Sequence, residues 1–164
     1  MEISTKLTEA INDQINYELY SGYIYLAMAS WFEERNLDGM AHWMKVQAKE
    51  EYEHAMRFWD HIVDRGGRVL LTTIEEPKKD WKSPLEAWED VYQHEMKVTK
   101  RIFKIGEIAD KEGDRSAIPL LQWFYNEQIE EEEQTMKVRD LLKLIGDKTN
   151  ALFMLDTKLE QREE

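Results

Sequence analysis

Residues 49–59, KEEYEHAMRFW, place an acidic side chain in the middle of an apolar helical stripe. At 100° per residue around a helix, Glu51 lies within about 60° of five apolar residues, which are Met44, Ala48, Ala55, Phe58 and Ile62. His54 borders this stripe, whereas Glu53 lies about 160° from Glu51 and Glu50 about 100° to one side. A carboxylate that should face water therefore faces the expected core.

Three other segments repeat this pattern, with Glu18, Glu95 and Glu131 each lying in an apolar stripe. A charge buried in a core needs a partner or must be neutralised. No Lys or Arg lies in these stripes near the acids, since Arg139 is two turns away from Glu131. We expect more than one cation to join the four acids.

The spacing of glycine and proline predicts an all-α chain. Four helices are expected at about residues 5–35, 39–65, 84–111 and 115–145, followed by a short fifth helix at about 150–161. Two short turns and one long connection between the second and third helices indicate an antiparallel four-helix bundle with a crossover. We predict one domain over residues 1–164, in which only RVLLTTI in the crossover has the composition of an extended segment.

Capping residues mark the predicted helix starts. Ser4 or Thr5 is the expected N-cap of the first helix, and SPLE at residues 83–86 predicts a capping box for the third. Pro119 fits the start of the fourth helix if Ser116 is its N-cap, because the first turn needs no backbone donor.

The polar residues of the stripes recur at a fixed interval. In each of three pairs the two residues are 77 positions apart: Glu18 and Glu95, Glu51 and Gln128, and His54 and Glu131. This interval indicates duplication of a helix pair. The first half then offers Glu and Glu-x-x-His, and the altered second half offers Glu and Gln-x-x-Glu.

Composition excludes several kinds of protein. The formal net charge of −12 argues against nucleic acids and anionic lipid as partners and favours cations. With no cysteine, the chain has no disulfide, thiolate metal site or cysteine nucleophile. No apolar run is long enough for a membrane span, and the start MEISTKLTEA is unlike a signal peptide, so we expect a cytoplasmic protein.

The chain resembles the non-haem ferritins over almost its whole length. The matching segments are NYELYSGYIYLAMA, HWMKVQAKEEYEHA, RGGRV, YQHE, LLQWFYNEQIEEE and LFMLDTKLE. Glu-x-x-His alone is a weak signal, but it is specific when it projects into a four-helix bundle together with further glutamates. Oxygen ligands with a single imidazole suit iron better than zinc, with manganese as an alternative.

The resemblance implies a di-iron centre built from six residues, which are Glu18, Glu51, His54, Glu95, Gln128 and Glu131. The first three would hold one iron, with Glu51 as a bridge to the second. Glu95 and Glu131 would hold the second iron, with Gln128 nearby.

The resemblance also implies a third iron site, formed by Glu50, Glu127 and Glu130. Glu127, Glu130 and Glu131 are spaced i, i+3 and i+4, so one helix face can present all three. The acidic run is otherwise typical of a solvated face.

Aromatic residues complete this comparison with the family. Tyr25 lies two turns beyond Glu18 on the same face, where the family carries a redox-active tyrosine. Trp123 lies near the third site, where core packing is its expected role. Tyr52 follows Glu51 at the position where haem-containing relatives carry a ligating Met, so we expect no haem.

The remaining histidines and one acid are weaker candidates. We interpret His42, His61 and His94 as structural or surface residues, because none lies beside the acids on the ligand face. Glu53 either faces a storage cavity or is an ordinary solvated acid.

The expected function is that of an iron-storage ferritin with ferroxidase activity. Fe(II) would be oxidised by O2 within the subunit, and Fe(III) mineral would be stored inside a shell of twenty-four identical subunits. The main alternative is a di-iron redox enzyme, such as a rubrerythrin-like peroxidase, although these usually carry a cysteine-rich module that this chain lacks. Size exclusion separates a particle of several hundred kilodaltons from a dimer.

Two further alternatives fit less well. A non-catalytic shell subunit would require a broken ligand set, whereas every ligand position is filled. The fifth helix, the acidic charge and ligands within one subunit disfavour a DNA-protecting mini-ferritin.

Overall fold

All regular secondary structure is helical in the part of the chain that the computed structural model describes, residues 2–163. The helices are α1 (Thr5–Glu33), α2 (Asp38–Asp64), α3 (Pro84–Lys111), α4 (Ile118–Ile145) and α5 (Thr149–Leu159), with a 3₁₀ turn at Arg115–Ala117. Within residues 2–163 there is no strand, including at RVLLTTI, and no helix is long and apolar enough to cross a membrane. The all-α prediction is confirmed; the two terminal residues of the predicted domain, Met1 and Glu164, lie outside the described residues.

The crossover between α2 and α3 runs along the outside of α1. The Asn12 side chain accepts from the Leu70 amide at 2.8 Å, and Asn16 donates to the Thr73 carbonyl at 3.3 Å. Further on, the Trp81 ring meets Trp31 near the end of α1, with 5.7 Å between ring centroids. The crossover therefore carries the chain from the start of α1 to its end, so that α3 runs antiparallel to α1.

The predicted caps are right at two helices and wrong at one. The Ser4 hydroxyl accepts from the amide at position 7 and caps α1, and the Ser83 hydroxyl accepts from the Glu86 amide at 3.1 Å. The Glu86 carboxylate accepts a hydrogen bond from the Lys82 amide, whereas in a standard capping box it would accept from the amide of the N-cap residue, Ser83. Ser116 is not the N-cap of α4, because the 3₁₀ turn that precedes α4 is capped by Asp114 instead.

The apolar core is divided into two clusters along the bundle axis. One cluster lies toward α5 and contains Tyr25, Phe32, Met44 and Trp88. The other lies at the opposite end of the bundle and contains Leu7, Ile11, Phe58, Ile102 and Phe124. The buried glutamates lie between them in sequence on every helix. The bundle thus carries a polar layer in the middle of its core.

The short helix α5 supplies the missing cap of α2. No local side chain caps α2, but the Asp156 carboxylate accepts from the amides of Gly39 at 3.1 Å and Met40 at 2.8 Å. A Cβ at Gly39 would lie 1.8 Å from the Asp156 carbonyl oxygen, so this close approach requires glycine. The buried carboxylate also faces the positive end of the α2 dipole.

Replacing Asp156 with alanine should destabilise the protein by about 1–2 kcal/mol, because two amides at the start of α2 lose their acceptor. Asp156→Asn keeps one acceptor oxygen without the charge and should fall between wild type and alanine. Chemical denaturation measures both variants, with Glu160→Ala at an exposed position of the same segment as the control. Equal stability of Asp156→Ala and Glu160→Ala would contradict this cap.

Candidate metal centre

The polar layer brings together six buried side chains from all four long helices. Each is at most 3% exposed, and they are Glu18 from α1, Glu51 and His54 from α2, Glu95 from α3, and Gln128 and Glu131 from α4. All six are sequence-predicted site residues. The helical stripes place them at the same level because α1 pairs with α2 and α3 pairs with α4.

One half of the layer already has the dimensions of a metal site. Ligand atoms of Glu18, Glu51 and His54 lie within 4.8 Å of one another, and His54 Nδ1 is 3.5 Å from Glu51 Oε2. Within residues 2–163, Glu18 Oε2 and Glu51 Oε2 are buried without a hydrogen-bond partner. Two carboxylate oxygens without a hydrogen bond, one of them facing the imidazole of His54 at 3.5 Å, are a set of donors that a cation would satisfy.

The other half of the layer is held by hydrogen bonds. The Tyr25 hydroxyl donates to Glu95 Oε1, and Gln128 Nε2 donates to Glu95 Oε2 at 3.2 Å. Glu131 Oε2 accepts from Gln47 Nε2 at 3.1 Å. Tyr25 is fully buried, so its predicted place beside the acids agrees with the structure.

Two buried glutamines at the layer were missed by the sequence analysis. Gln14 Nε2 donates to Glu18 Oε1 at 2.7 Å, and Gln47 Nε2 donates to Glu51 Oε1 at 2.8 Å. Each glutamine precedes its glutamate by four residues and therefore lies on the same helix face. This repeated Gln-x-x-x-Glu spacing was the signal that could have identified them.

The three acids predicted for a third iron site do not form a metal-sized group with one another among residues 2–163. Glu127 Oε1 is 3.6 Å from His54 Nε2, and Glu127 forms a metal-sized group with His54 and Glu131. No such group among residues 2–163 includes Glu50 or Glu130. Glu50 forms an ion pair with Arg162. Glu130 is exposed and accepts a hydrogen bond from the Gln134 side chain.

The other three histidines make their contacts away from the predicted metal ligands. His42 Nε2 lies 2.7 Å from the carbonyl oxygen of Arg162, and His61 is half-buried near the end of α2. His94 is buried, with its Nε2 2.7 Å from the Ser21 hydroxyl. Burial lowers the pKa of His94 to about 4, so this imidazole is neutral at pH 7.

The remaining residues singled out in the sequence lie around the layer. Trp123 meets the His54 ring edge to face at 5.5 Å, between His54 and solvent. Tyr52 and Glu53 are exposed on the outside of α2, away from the buried acids.

Burial and mutual repulsion hold protons on three of the four glutamates. Burial, together with Glu51, raises the pKa of Glu18 and of Glu95 well above the usual carboxyl range. The same two causes raise the pKa of Glu131 to about 8. These three side chains therefore carry protons near neutral pH when no cation is bound.

Glu51 and His54 form the charged pair of the layer. Burial opposes ionisation of Glu51, but its contacts with His54, Glu18 and Gln47 outweigh burial and lower its pKa. Burial likewise opposes protonation of His54, but Glu127 and Glu51 raise the pKa of this imidazole well above its usual value. A metal ion here would displace protons from His54 and from the neutral glutamates.

Comparison with known proteins identifies the family of this chain. The family model described as a ferritin-like domain matches residues 8–145. The chain belongs to the ferritin family. It is 37% identical to a "Bacterial non-heme ferritin" of Staphylococcus saprophyticus and 39% identical to one of Bacteroides fragilis, in each case over 98% of this chain, covering 96% and 99% of those relatives.

Solved structures of archaeal ferritins have the same fold. An Archaeoglobus fulgidus ferritin, engineered by site-directed mutagenesis to a closed form, superposes with a TM-score of 0.97 and 48% identity, covering 99% of both chains. The predicted ferritin family and the predicted bundle are thus confirmed. The ligand roles drawn from the family resemblance stay predictions.

The raised carboxyl pKa values predict how the stability of the metal-free protein depends on pH. Glu131 keeps its proton to about pH 8 when folded but ionises at the ordinary carboxyl pKa when unfolded, so the folded state binds more protons at neutral pH. This contribution to stability is fully present below the unfolded carboxyl pKa of about 4.5, is lost as pH rises from there to the folded pKa of about 8, and does not change above it. His94 acts in the opposite direction only below its ordinary pKa of 6.5.

The unfolding temperature of the metal-free protein should therefore fall by several degrees between about pH 6.5, where His94 no longer opposes the change, and about pH 8. Calorimetry with a chelator present measures this slope. Glu131→Gln, which cannot ionise, should make this slope less steep, while Glu18 and Glu95 keep their part of it. A constant or rising unfolding temperature in the wild-type protein would contradict the assigned protonation.

Proposed function

We propose that the protein is an iron-storage ferritin with ferroxidase activity. Two Fe(II) ions bind in the polar layer of each subunit and give one electron each to O2. The Fe(III) product then passes to a mineral store inside a shell of identical subunits. Membership of the ferritin family supports iron storage, and the geometry of the layer supports oxidation within the subunit.

Two buried carboxylate oxygens without a hydrogen bond carry this proposal. Glu18 Oε2 and Glu51 Oε2 are buried and make no hydrogen bond to any described residue, beside an imidazole that can lose its proton. Core packing alone would not favour such an arrangement, because each buried polar atom without a partner costs about 1–3 kcal/mol. A divalent cation supplies the missing partner for both oxygens at once.

The kinds of donor favour iron. Four carboxylates and one imidazole form a hard set of ligands with no thiolate, which suits Fe(II) and Mn(II) better than Zn(II). Glu51 lies at the centre of the electrostatic contacts, since its charge affects Glu18, Glu95 and Glu131. This central place supports Glu51 as the ligand shared by two ions.

Tyr25 is placed for a role in the redox step. Its hydroxyl donates to Glu95, the proposed ligand of the second iron, and burial with the Glu95 charge raises the pKa of Tyr25 well above 10. Tyr25 therefore stays a neutral phenol. Once a bound metal ion has displaced the proton of Glu95, this carboxylate is an acceptor for the phenol proton if Tyr25 is oxidised. We propose that Tyr25 supplies one electron and a third Fe(II) ion another, so that together with the two electrons of the first iron pair O2 is reduced to two molecules of water.

A third iron, as the family resemblance implies, would use Glu127 with Glu50 and Glu130. Glu127 is the one of these acids that faces a di-iron ligand, through His54 Nε2. Binding there would require Glu50 to leave its ion pair, and we propose that the third site fills after the first two.

Exposed apolar side chains support assembly into a shell. Tyr23, Leu26, Tyr52 and Ile74 are each more than a third exposed and line one cavity of about 470 Å³ on the outer face of α1 and α2. Apolar patches of this kind mark contacts between subunits. We propose a shell of twenty-four copies, with α5 close to a channel.

Replacing a ligand of the first iron should slow aerobic Fe(II) oxidation. With two Fe(II) per subunit, Glu51→Gln and His54→Ala should each reduce the initial rate by roughly tenfold or more, because each removes a donor at the metal. Stopped-flow absorbance of Fe(III) measures this rate. Glu53→Gln is the matched control, since Glu53 is exposed on the same helix two residues from Glu51.

The control should oxidise iron at the wild-type rate. If Glu51→Gln and His54→Ala also keep the wild-type rate while folded, the oxidation site lies elsewhere and the proposed function of the layer is wrong.

A further inference from the structure

Two arginines contact the two buried glutamines from the side opposite the metal ligands. Arg101 Nε donates to Gln14 Oε1 at 2.9 Å, and Arg162 Nη2 donates to Gln47 Oε1, also at 2.9 Å. A guanidinium group has only donors, so each glutamine must turn its carbonyl oxygen toward the arginine. Its NH2 group then has to face the glutamate, which fixes an amide orientation that would otherwise be free to flip.

Arg101 is held in place by the first helix. Its Nη2 forms an ion pair with Asp13 Oδ2 at 2.6 Å, and its Cζ lies 4.0 Å from the centroid of the Tyr17 ring. Asp13 and Tyr17 flank Gln14 on α1. The chain of contacts therefore runs from α3 through Arg101 to Gln14 and ends at Glu18.

Arg162 is held in the same way by the second helix. Its Nη2 forms an ion pair with Glu50 Oε2 at 2.6 Å, and its Cζ lies 4.2 Å from the centroid of Trp43. Its Nη1 also donates to the Trp43 carbonyl at 3.3 Å. Because Arg162 follows α5, the C-terminal segment of the chain reaches Glu51 through Gln47.

These contacts leave one oxygen of each glutamate available. The glutamine amides occupy Glu18 Oε1 and Glu51 Oε1, whereas the Oε2 atom of each has no hydrogen-bond partner among the described residues. A carboxylate held at one oxygen by a fixed donor cannot rotate freely, so its other oxygen keeps one direction. That direction is toward the site shared with His54.

The second half of the bundle lacks this device. The positions 77 residues after Gln14 and Gln47 are Val91 and Phe124, which have no amide. Glu95 is instead held by Tyr25 and Gln128. Both proposed ligands of the first iron that carry a carboxylate, Glu18 and Glu51, are thus held by a glutamine, and Gln47 also donates to Glu131 at 3.1 Å.

We propose that Arg101–Gln14 and Arg162–Gln47 are positioning pairs that aim Glu18 and Glu51 at the first metal ion. The inference rests on the proposed function of the same site. It assigns a role in metal binding to the C-terminal segment through Arg162, although this arginine contacts none of the proposed di-iron ligands directly.

Equilibrium binding of Co(II) tests this proposal without relying on turnover. The absorption spectrum of bound Co(II) reports the coordination geometry, and titration gives the affinity. Gln47→Leu should weaken binding at the first site roughly tenfold or more, and Arg162→Ala should also weaken it, with an altered spectrum in both. The double variant should be no weaker than Gln47→Leu alone, because Arg162 acts through Gln47.

Arg35→Ala is the matched control. Arg35 stacks on Trp31 at 3.9 Å, donates to the Trp31 carbonyl and pairs with Glu34, so it has the contacts of Arg162 except the glutamine. Its removal should leave the affinity and spectrum of Co(II) unchanged. The unfolding temperature of each metal-free variant shows whether the bundle is intact.

Three outcomes would overturn the proposal. Wild-type affinity and spectrum in folded Gln47→Leu and Arg162→Ala would show that the pairs do not position the ligands, and additive losses in the double variant would show that Arg162 does not act through Gln47. If the wild-type protein itself binds no Co(II) in the layer, the proposed function fails and the positioning role fails with it.

Discussion

Four carboxyl groups share one water-free layer of this bundle, and they cannot all ionise there without cations. Burial and mutual repulsion raise the pKa of Glu18, Glu95 and Glu131, so that protons take the place of metal when none is bound. Glu51 and His54 keep opposite charges beside them. We propose that the layer exchanges these protons for metal ions and that much of the surrounding structure keeps the carboxyl groups in place.

The fold itself could be predicted from the sequence because its signals are local. Apolar spacing, scarce glycine and proline, and caps such as Ser4 and Ser83 gave the helices, and one long connection indicated the crossover. The wrong cap at Ser116 has a physical reason: a short 3₁₀ turn capped by Asp114 precedes α4, and no pattern in the sequence distinguishes this turn from a first helical turn.

The acids of the layer could also be predicted, because a charge in an apolar stripe conflicts with its surroundings. The groups that hold those acids were harder to find. Gln14 and Gln47 are uncharged and fit a core stripe without conflict, and Arg162 reaches the layer from a segment more than a hundred residues away from Gln47. Glu50 was expected beside a third metal, but only the structure shows that it pairs with this arginine.

The central claim is that two metal ions belong between these side chains. Anomalous X-ray diffraction at the iron edge, from crystals grown with Fe(II) without oxygen, measures it most directly. The account predicts two anomalous peaks in the polar layer of each subunit, one among Glu18, Glu51 and His54 and one among Glu51, Glu95 and Glu131. Peaks confined to surface acids, with none in the layer, would contradict it.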